Sequence, residues 1–170
     1  MPVKAAETRE TMNIRLICAG KIKEKYLIQG ISEYMKRLSR YARIEIIEVE
    51  DEKAPDNLSQ AEEAIIKEKE AARISRHFRD GAVKVILDIE GKSYSSEEFS
   101  AVLQDYGLAG RSQLDFVIGG SLGLDQGIIR QADLLLSFSR LTFPHQLMRL
   151  ILLEQIYRAF RIARGEPYHK

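Results

Sequence analysis

Residues Leu114 to His169 read LDFVIGGSLGLDQGIIRQADLLLSFSRLTFPHQLMRLILLEQIYRAFRIARGEPYH. Two turns punctuate the stretch, Gly119-Gly120 and Thr142-Phe143-Pro144-His145, and each follows a short apolar run and precedes a helical pattern. A buried strand that stops at glycine or proline and passes into a helix is half of a parallel-sheet unit. Both turns are therefore expected at one edge of a parallel sheet, the carboxyl edge where α/β proteins bind small molecules.

The chain upstream repeats that rhythm. NIRLICAG predicts a first strand ending at Gly20, and Leu27, Ile31, Tyr34, Met35 and Leu38 then fall at helical spacing between Tyr26 and Tyr41. Arg43 to Val49 predicts a second strand, which runs into the acidic cluster Glu48, Glu50, Asp51 and Glu52, a charge run suited to protecting a sheet edge. Ser59 to Phe78 predicts an amphipathic helix with Ala61, Ala64, Ile65, Ala72, Ile74 and Phe78 inward. His77, beside Arg76 and Arg79 near its C-terminal end, suits the helix dipole better than catalysis. AVKVILDI, 82–89, is a continuous β-rich run of the kind buried on both faces, and Gly91-Lys92-Ser93 is expected to end it. Ser96 opens a further helix, with Phe99, Val102 and Leu103 inward, that stops at Tyr106-Gly107. Strands alternating with helices throughout predict an α/β fold on a parallel sheet.

Composition narrows the function. A chain of 170 residues, 45% hydrophobic and 30% charged, is expected to form one domain, 12–170, preceded by an aperiodic polar leader, 1–11, that carries no function. Arg140, Arg149 and Glu154 interrupt the most apolar segment, so no membrane span is expected, and a soluble cytoplasmic protein is. The one cysteine, Cys18, lies in an apolar run as a structural thiol, so disulfides and cysteine-rich metal sites are excluded and no metal is expected. The GKS tripeptide lacks the glycine of a phosphate loop, since the residue five positions before Gly91 is Ile86. Nor does the Gly119 turn match the G-x-G-x-x-G dinucleotide fingerprint. Residues 140–170 carry six basic and two acidic side chains, against 20 basic and 23 acidic before them. That basic end would suit a polyanion, or simply answer a helix C-terminus. The last helical pattern, Pro144 to Arg164, is apolar around most of its circumference, which predicts cover from the sheet on one side and a second subunit of a homodimer on the other.

FVIGG, LSFSRLTFPHQLMR, YRAF and the terminal PYH, together with NIRLICAGKIK and LDIEGK, resemble the ribosomal RNA large-subunit pseudouridine N3-methyltransferases of the SPOUT superfamily. The likeness extends from Met12 to Lys170, and T-x-P-H and PYH are its most specific parts. It implies a parallel-sheet, Rossmann-like SPOUT fold whose C-terminal part is threaded as a deep trefoil knot, a topology that alternation alone would not suggest. It implies S-adenosylmethionine as cofactor, held by Leu87, Gly119, Phe138, Ser139, Arg140, Leu141, Thr142 and Phe143, and 23S ribosomal RNA within the ribosome as substrate. It also points to Arg158, Tyr168 and His169 as a substrate-side group reaching the cofactor of a partner subunit. His145 and His169 titrate near neutral pH and are candidate proton acceptors. His145 could equally cap its helix or hold its loop, and Arg158 could be the ion-pair partner of Glu154 four residues back. Two other functions remain open on the residues: a non-catalytic RNA-binding ribosome assembly factor, and a small-nucleotide sensor built on the glycine turn.

Overall fold

The computed structural model describes residues 10–168. Strands and helices alternate as β1 (Met12–Ala19), α1 (Lys25–Leu38), β2 (Ala42–Val49), α2 (Gln60–Ser75), β3 (Val83–Ser93), α3 (Ser96–Leu108), β4 (Gln113–Ile118), α4 (Gln126–Ile129), β5 (Leu134–Ser137) and α5 (His145–Ala163). The strands form one sheet in the order β2-β1-β4-β3-β5, and every pairing is parallel.

The period-two geometry of the central strands sorts side chains between two cores. In β1, Ile14, Leu16 and Cys18 face α1, α3 and α5, whereas Ile17 and Ala19 face α2 and α4. In β4, Phe116 joins the first set and Val117 the second. Fully burying side chains such as Leu152, Leu153 and Ile156 of α5 contributes about 1.5–3 kcal/mol each. Cys18 is 0% exposed, and burial pushes its thiol up to about 12, so it is an inert core residue.

One charged side chain lies in the middle of the sheet. Asp115 is fully buried, and it accepts from Arg15 Nε at 3.0 Å, Arg79 Nη2 at 2.7 Å and the Arg79 amide at 3.1 Å. Burial raises the cost of ionising it. The hydrogen bonds from Arg15 and Arg79 outweigh that cost and hold its carboxyl below the ordinary value.

Several expectations need correction. In α2 the alanines expected inside, Ala61, Ala64 and Ala72, are exposed with Ile65, and the helix instead turns Glu70, Ala71 and Ile74 inward. Alanine has so little surface to bury that it does not orient a helix; Ile74 does. α3 does begin at Ser96, capped by Ser95 through a capping box with Glu98, and a matching box of Ser59 with Glu62 opens α2. β3 takes in Gly91-Lys92-Ser93 and ends at Ser93, but it does not run there unbroken. Its pairing with β5 breaks after Leu87↔Leu136 and resumes at Lys92↔Leu136 and Ser93↔Ser137. Gly91 makes that second approach possible, because a Cβ there would lie 2.7 Å from the Leu135 carbonyl carbon. Finally, α5 has no exposed residue within the single chain, because α1 and α3 flank it. Its apolar circumference is thus only partly covered within one chain, since Leu147, Leu150 and Ile151 stay half-buried.

Candidate functional site

Four chain segments meet at the carboxyl edge of the sheet: the ends of β3, β4 and β5 and the start of α5. They enclose a cavity of about 930 Å³, in the size range of small-molecule sites. Of the eight residues that the resemblance assigns to the cofactor, all except Arg140 line it, and so does His145. Arg140 is exposed. Its neighbours are ordered by local hydrogen bonds, from Ser137 Oγ to the Ser139 carbonyl at 3.1 Å and from the Leu141 amide to Ser139 Oγ at 2.9 Å.

The glycine turn folds back on itself through a bridge between Gly120 and Gly123, with φ +84° at Gly123. A Cβ on Gly119 would lie 2.8 Å from Leu124 Cγ. The turn therefore needs glycine there for its own packing, whether or not a ligand also passes close to it. A Cβ on Gly120 would stand 3.1 Å from Oε1 of Glu70, the inward carboxylate of α2.

The charged lining consists of Asp88, Glu90, Lys67 and His145. Burial, and then the neighbouring Arg149 guanidinium, lower the His145 pKa against the opposing pull of Asp51. With that imidazole neutral, two carboxylates face one ammonium, and the wall suits a ligand carrying positive charge. Lys67, Asp88 and Glu90 escaped the sequence reading. For the acids, the available signal was their position directly after the buried run of β3.

Arg158 and Tyr168 come together elsewhere. The Tyr168 ring lies 4.7 Å from the Arg158 guanidinium carbon and 4.9 Å, edge-on, from the Tyr157 ring. Glu154 joins them: its Oε1 accepts from Arg158 Nη2 at 2.5 Å and from the Tyr168 hydroxyl at 2.9 Å. Burial and the hydrogen bonds with Tyr34 and Glu154 push the Tyr168 phenol well above its ordinary value, so it remains a donor. Tyr34, read from the sequence only as an inward position of α1, brings its hydroxyl to 3.4 Å from that of Tyr168. The ion-pair role considered for Arg158 is thus real, and it coexists with the tyrosine contact. Neither Arg158 nor Tyr168 lines the cavity. Arg158 follows His145 by thirteen residues of continuous helix, about 20 Å at 1.5 Å per residue. His169 lies outside the described residues.

No described helix is long and apolar enough to cross a membrane, and no metal-binding group of three or more His, Cys, Asp or Glu occurs among the described residues.

Comparison with known proteins places these features. Residues 12–169 match the family described as "Predicted SPOUT methyltransferase". A protein of Alkaliphilus oremlandii (strain OhILAs) is 58% identical over 159 residues, covering 94% of this chain and 100% of the relative; one of Bacillus cereus (strain ATCC 10987 / NRS 248) is 60% identical with the same coverage. Both are called ribosomal RNA large subunit methyltransferase H. Among solved structures, a probable methylase family protein of Haemophilus influenzae Rd KW20 superposes with a TM-score of 0.50 at 12% identity, over 89% of this chain and 66% of its own, a likeness of fold.

Proposed function

The chain belongs to the SPOUT methyltransferase family, and from that premise we propose that it methylates N3 of a pseudouridine in 23S ribosomal RNA, on the assembled ribosome, as a cytoplasmic homodimer using S-adenosylmethionine. The observation that carries the reading is the cavity: seven of the eight residues tied by resemblance to that cofactor line it. The wall fits the molecule chemically. Phe138, Leu87 and Leu124 offer apolar surface for an adenine, Ser139 and Thr142 offer hydroxyls for a ribose, and Asp88 and Glu90 face a ligand that carries a sulfonium and an ammonium.

When bound, S-adenosylmethionine supplies a methyl group made electrophilic by the sulfonium. The protein's own residues have the remaining tasks, which are alignment and proton removal. N3 of pseudouridine lies between two carbonyls and becomes nucleophilic as its proton leaves. A cation beside a carbonyl oxygen favours the anion, and Arg158 offers a planar fork for it. The Tyr168 ring can stack on the base, and His169 takes the N3 proton directly or through water.

A shared site between two subunits explains the separation of these groups. Arg158 stands ten residues of α5 beyond Met148, the last helix residue on the cavity wall, about 15 Å away, and Tyr168 packs on Arg158; neither lines the cavity of its own chain, so both are assigned to the cavity of a partner. The exposed apolar residues Leu141 and Ile89 at the cavity lip are suited to being covered there. The deep trefoil knot that the resemblance implies belongs to the same proposal.

The test is calorimetry with S-adenosylmethionine, followed by methyl transfer to intact ribosomes and to naked ribosomal RNA. Cofactor binding with transfer to ribosomes is expected. RNA binding without cofactor affinity would leave the assembly-factor function instead.

A further inference from the structure

A second cavity, of about 390 Å³, opens at the opposite, amino edge of the sheet, between the end of α1, the start of β2 and the ends of α3 and α5. It plays no part in the site described above. Its floor includes Tyr41, Leu103 and Phe160, and Arg40, Arg43 and Arg164 stand around it with one acid, Glu10, three basic charges against one.

Tyr41 is the centre of this arrangement. Its ring stacks on Phe160 at 5.7 Å between centroids and 11° between planes. The guanidinium carbons of Arg164 and Arg40 lie 4.6 and 6.0 Å from its centroid. The neighbouring arginines Arg37, Arg158 and Arg161 are bound to Glu33, Glu154 and Glu166. By contrast, Arg40, Arg43 and Arg164 have no carboxylate within 4.0 Å among the described residues. All three are exposed. A cation at a helix C-terminus accounts for Arg164, the C-cap of α5, and in part for Arg40 just beyond α1. It accounts neither for Arg43, which lies on edge strand β2, nor for the cavity that the described residues leave between the three charges.

A recess with an aromatic floor and a net positive rim, its three guanidinium groups outside any ion pair among the described residues, fits a ligand that is planar and apolar at one point and anionic on either side. Single-stranded RNA has that chemistry: each base offers a face for stacking, and the phosphates repeat along the strand. We propose that this second cavity is an RNA anchor, which takes an unstacked base beside Tyr41 and Phe160 while Arg40, Arg43 and Arg164 hold the adjoining phosphates. The inference rests on the proposed RNA substrate, and it locates a contact remote from the methyl-transfer cavity.

The probe is a fluorescein-labelled oligouridylate of about twelve nucleotides, within the span of known single-strand sites, titrated with the full chain by anisotropy at several salt concentrations. Arg40→Ala, Arg43→Ala and Arg164→Ala should each weaken binding about three-fold or more. Each should also reduce the slope of log K against log salt by about 0.7, the value for one phosphate contact on a single strand. The cavity itself is tested by Gly107→Leu. Gly107 lines it, and a Cβ there meets nothing within 4 Å, so a leucine side chain can start into the recess without a clash at its base. It replaces glycine in α3 by a better helix former, so the fold is retained. Its RNA affinity should fall at least three-fold, while its S-adenosylmethionine affinity matches that of the wild type.

Removing residues 1–11 should leave RNA affinity unchanged or raise it; loss of binding would move the contact to that segment and overturn the assignment. Wild-type affinity and salt slope in the three arginine variants, or no binding of the oligouridylate by the wild type, would overturn it as well. If the arginines govern RNA binding but the chain does not bind S-adenosylmethionine, the proposed reaction fails and the anchor stands.

Discussion

The hydroxyl of Tyr168 donates to Oε1 of Glu154 at 2.9 Å, and that same oxygen accepts from Arg158. Tyr168 is thereby tied to α5 rather than frayed, the usual fate of residues near a terminus. Deleting Tyr168 to Lys170 is expected to lower methyl transfer to ribosomes on the order of 100-fold or more, with S-adenosylmethionine affinity changed less than about two-fold, because the cofactor cavity is lined by other segments. Single-turnover transfer and calorimetry on one preparation measure both. A truncated chain that turns over at the wild-type rate removes Tyr168 and His169 from the mechanism.

Asp115 tests what holds the sheet. Removing one member of a buried, hydrogen-bonded charge group typically costs about 3–5 kcal/mol, and Asp115→Ala would leave both Arg15 and Arg79 without their carboxylate. The pH dependence has a definite sign. The native carboxyl is held below the ordinary value of 3.8, so its stabilisation is fully present above that value and is lost as pH falls through the lower native one. Urea unfolding of wild type and Asp115→Asn across acid pH should show that loss in the wild type alone.

The centre of the sheet was legible because β4 from Leu114 onward and the first half of β3 are buried or half-buried throughout, as the runs VKVIL and LDFVI announce. Legibility failed where the determining contact is distant in sequence. The inward face of α2 is set by Ile74 and Glu70 meeting the sheet, not by alanine periodicity. The cover on α5 comes from α1 and α3, which no local pattern of α5 encodes. The candidate site shows the same division. The turns at Gly119 and Thr142 were visible as strand-to-helix punctuation. The acids Asp88 and Glu90 became part of the site only once β3 was placed beside β4 and β5. The role of Tyr34 is likewise a meeting of residues 134 positions apart.

Gly119 separates two causes for one residue. The atom a larger side chain would meet first is Leu124 Cγ, at 2.8 Å, which belongs to the turn itself. Gly119→Val should therefore displace the whole turn through Ser121 and Leu124, which also line the cavity. A fall in S-adenosylmethionine affinity of at least about ten-fold is expected, accompanied by a loss of stability of about 1–3 kcal/mol from overpacking. Lost affinity at unchanged melting temperature would return the glycine to direct ligand contact. Unchanged affinity would remove the turn from the site.

His145 divides the two candidate proton acceptors. It opens α5, lines the cavity and is partly buried. Burial first, and then the charge of Arg149 one turn along the helix, lower its pKa below the ordinary 6.5, with Asp51 opposing. The positive end of the α5 dipole acts in the same direction. A histidine whose native pKa is depressed contributes stability that is present above 6.5 and lost as pH falls through the native value. His145→Gln should therefore lose less stability than the wild type between pH 7.5 and pH 5, as read by urea unfolding at both (about one unit either side of the ordinary value). For the reaction, a neutral imidazole that holds the loop is expected to be replaceable by an amide, so His145→Gln should retain methyl transfer within about ten-fold of the wild type, whereas a general base contributes on the order of 100-fold or more. A loss of that larger size in His145→Gln, together with an acid limb in the wild-type rate profile that lies below pH 6.5 and disappears in the variant, would assign the N3 proton to His145 and leave the tail to bind the base.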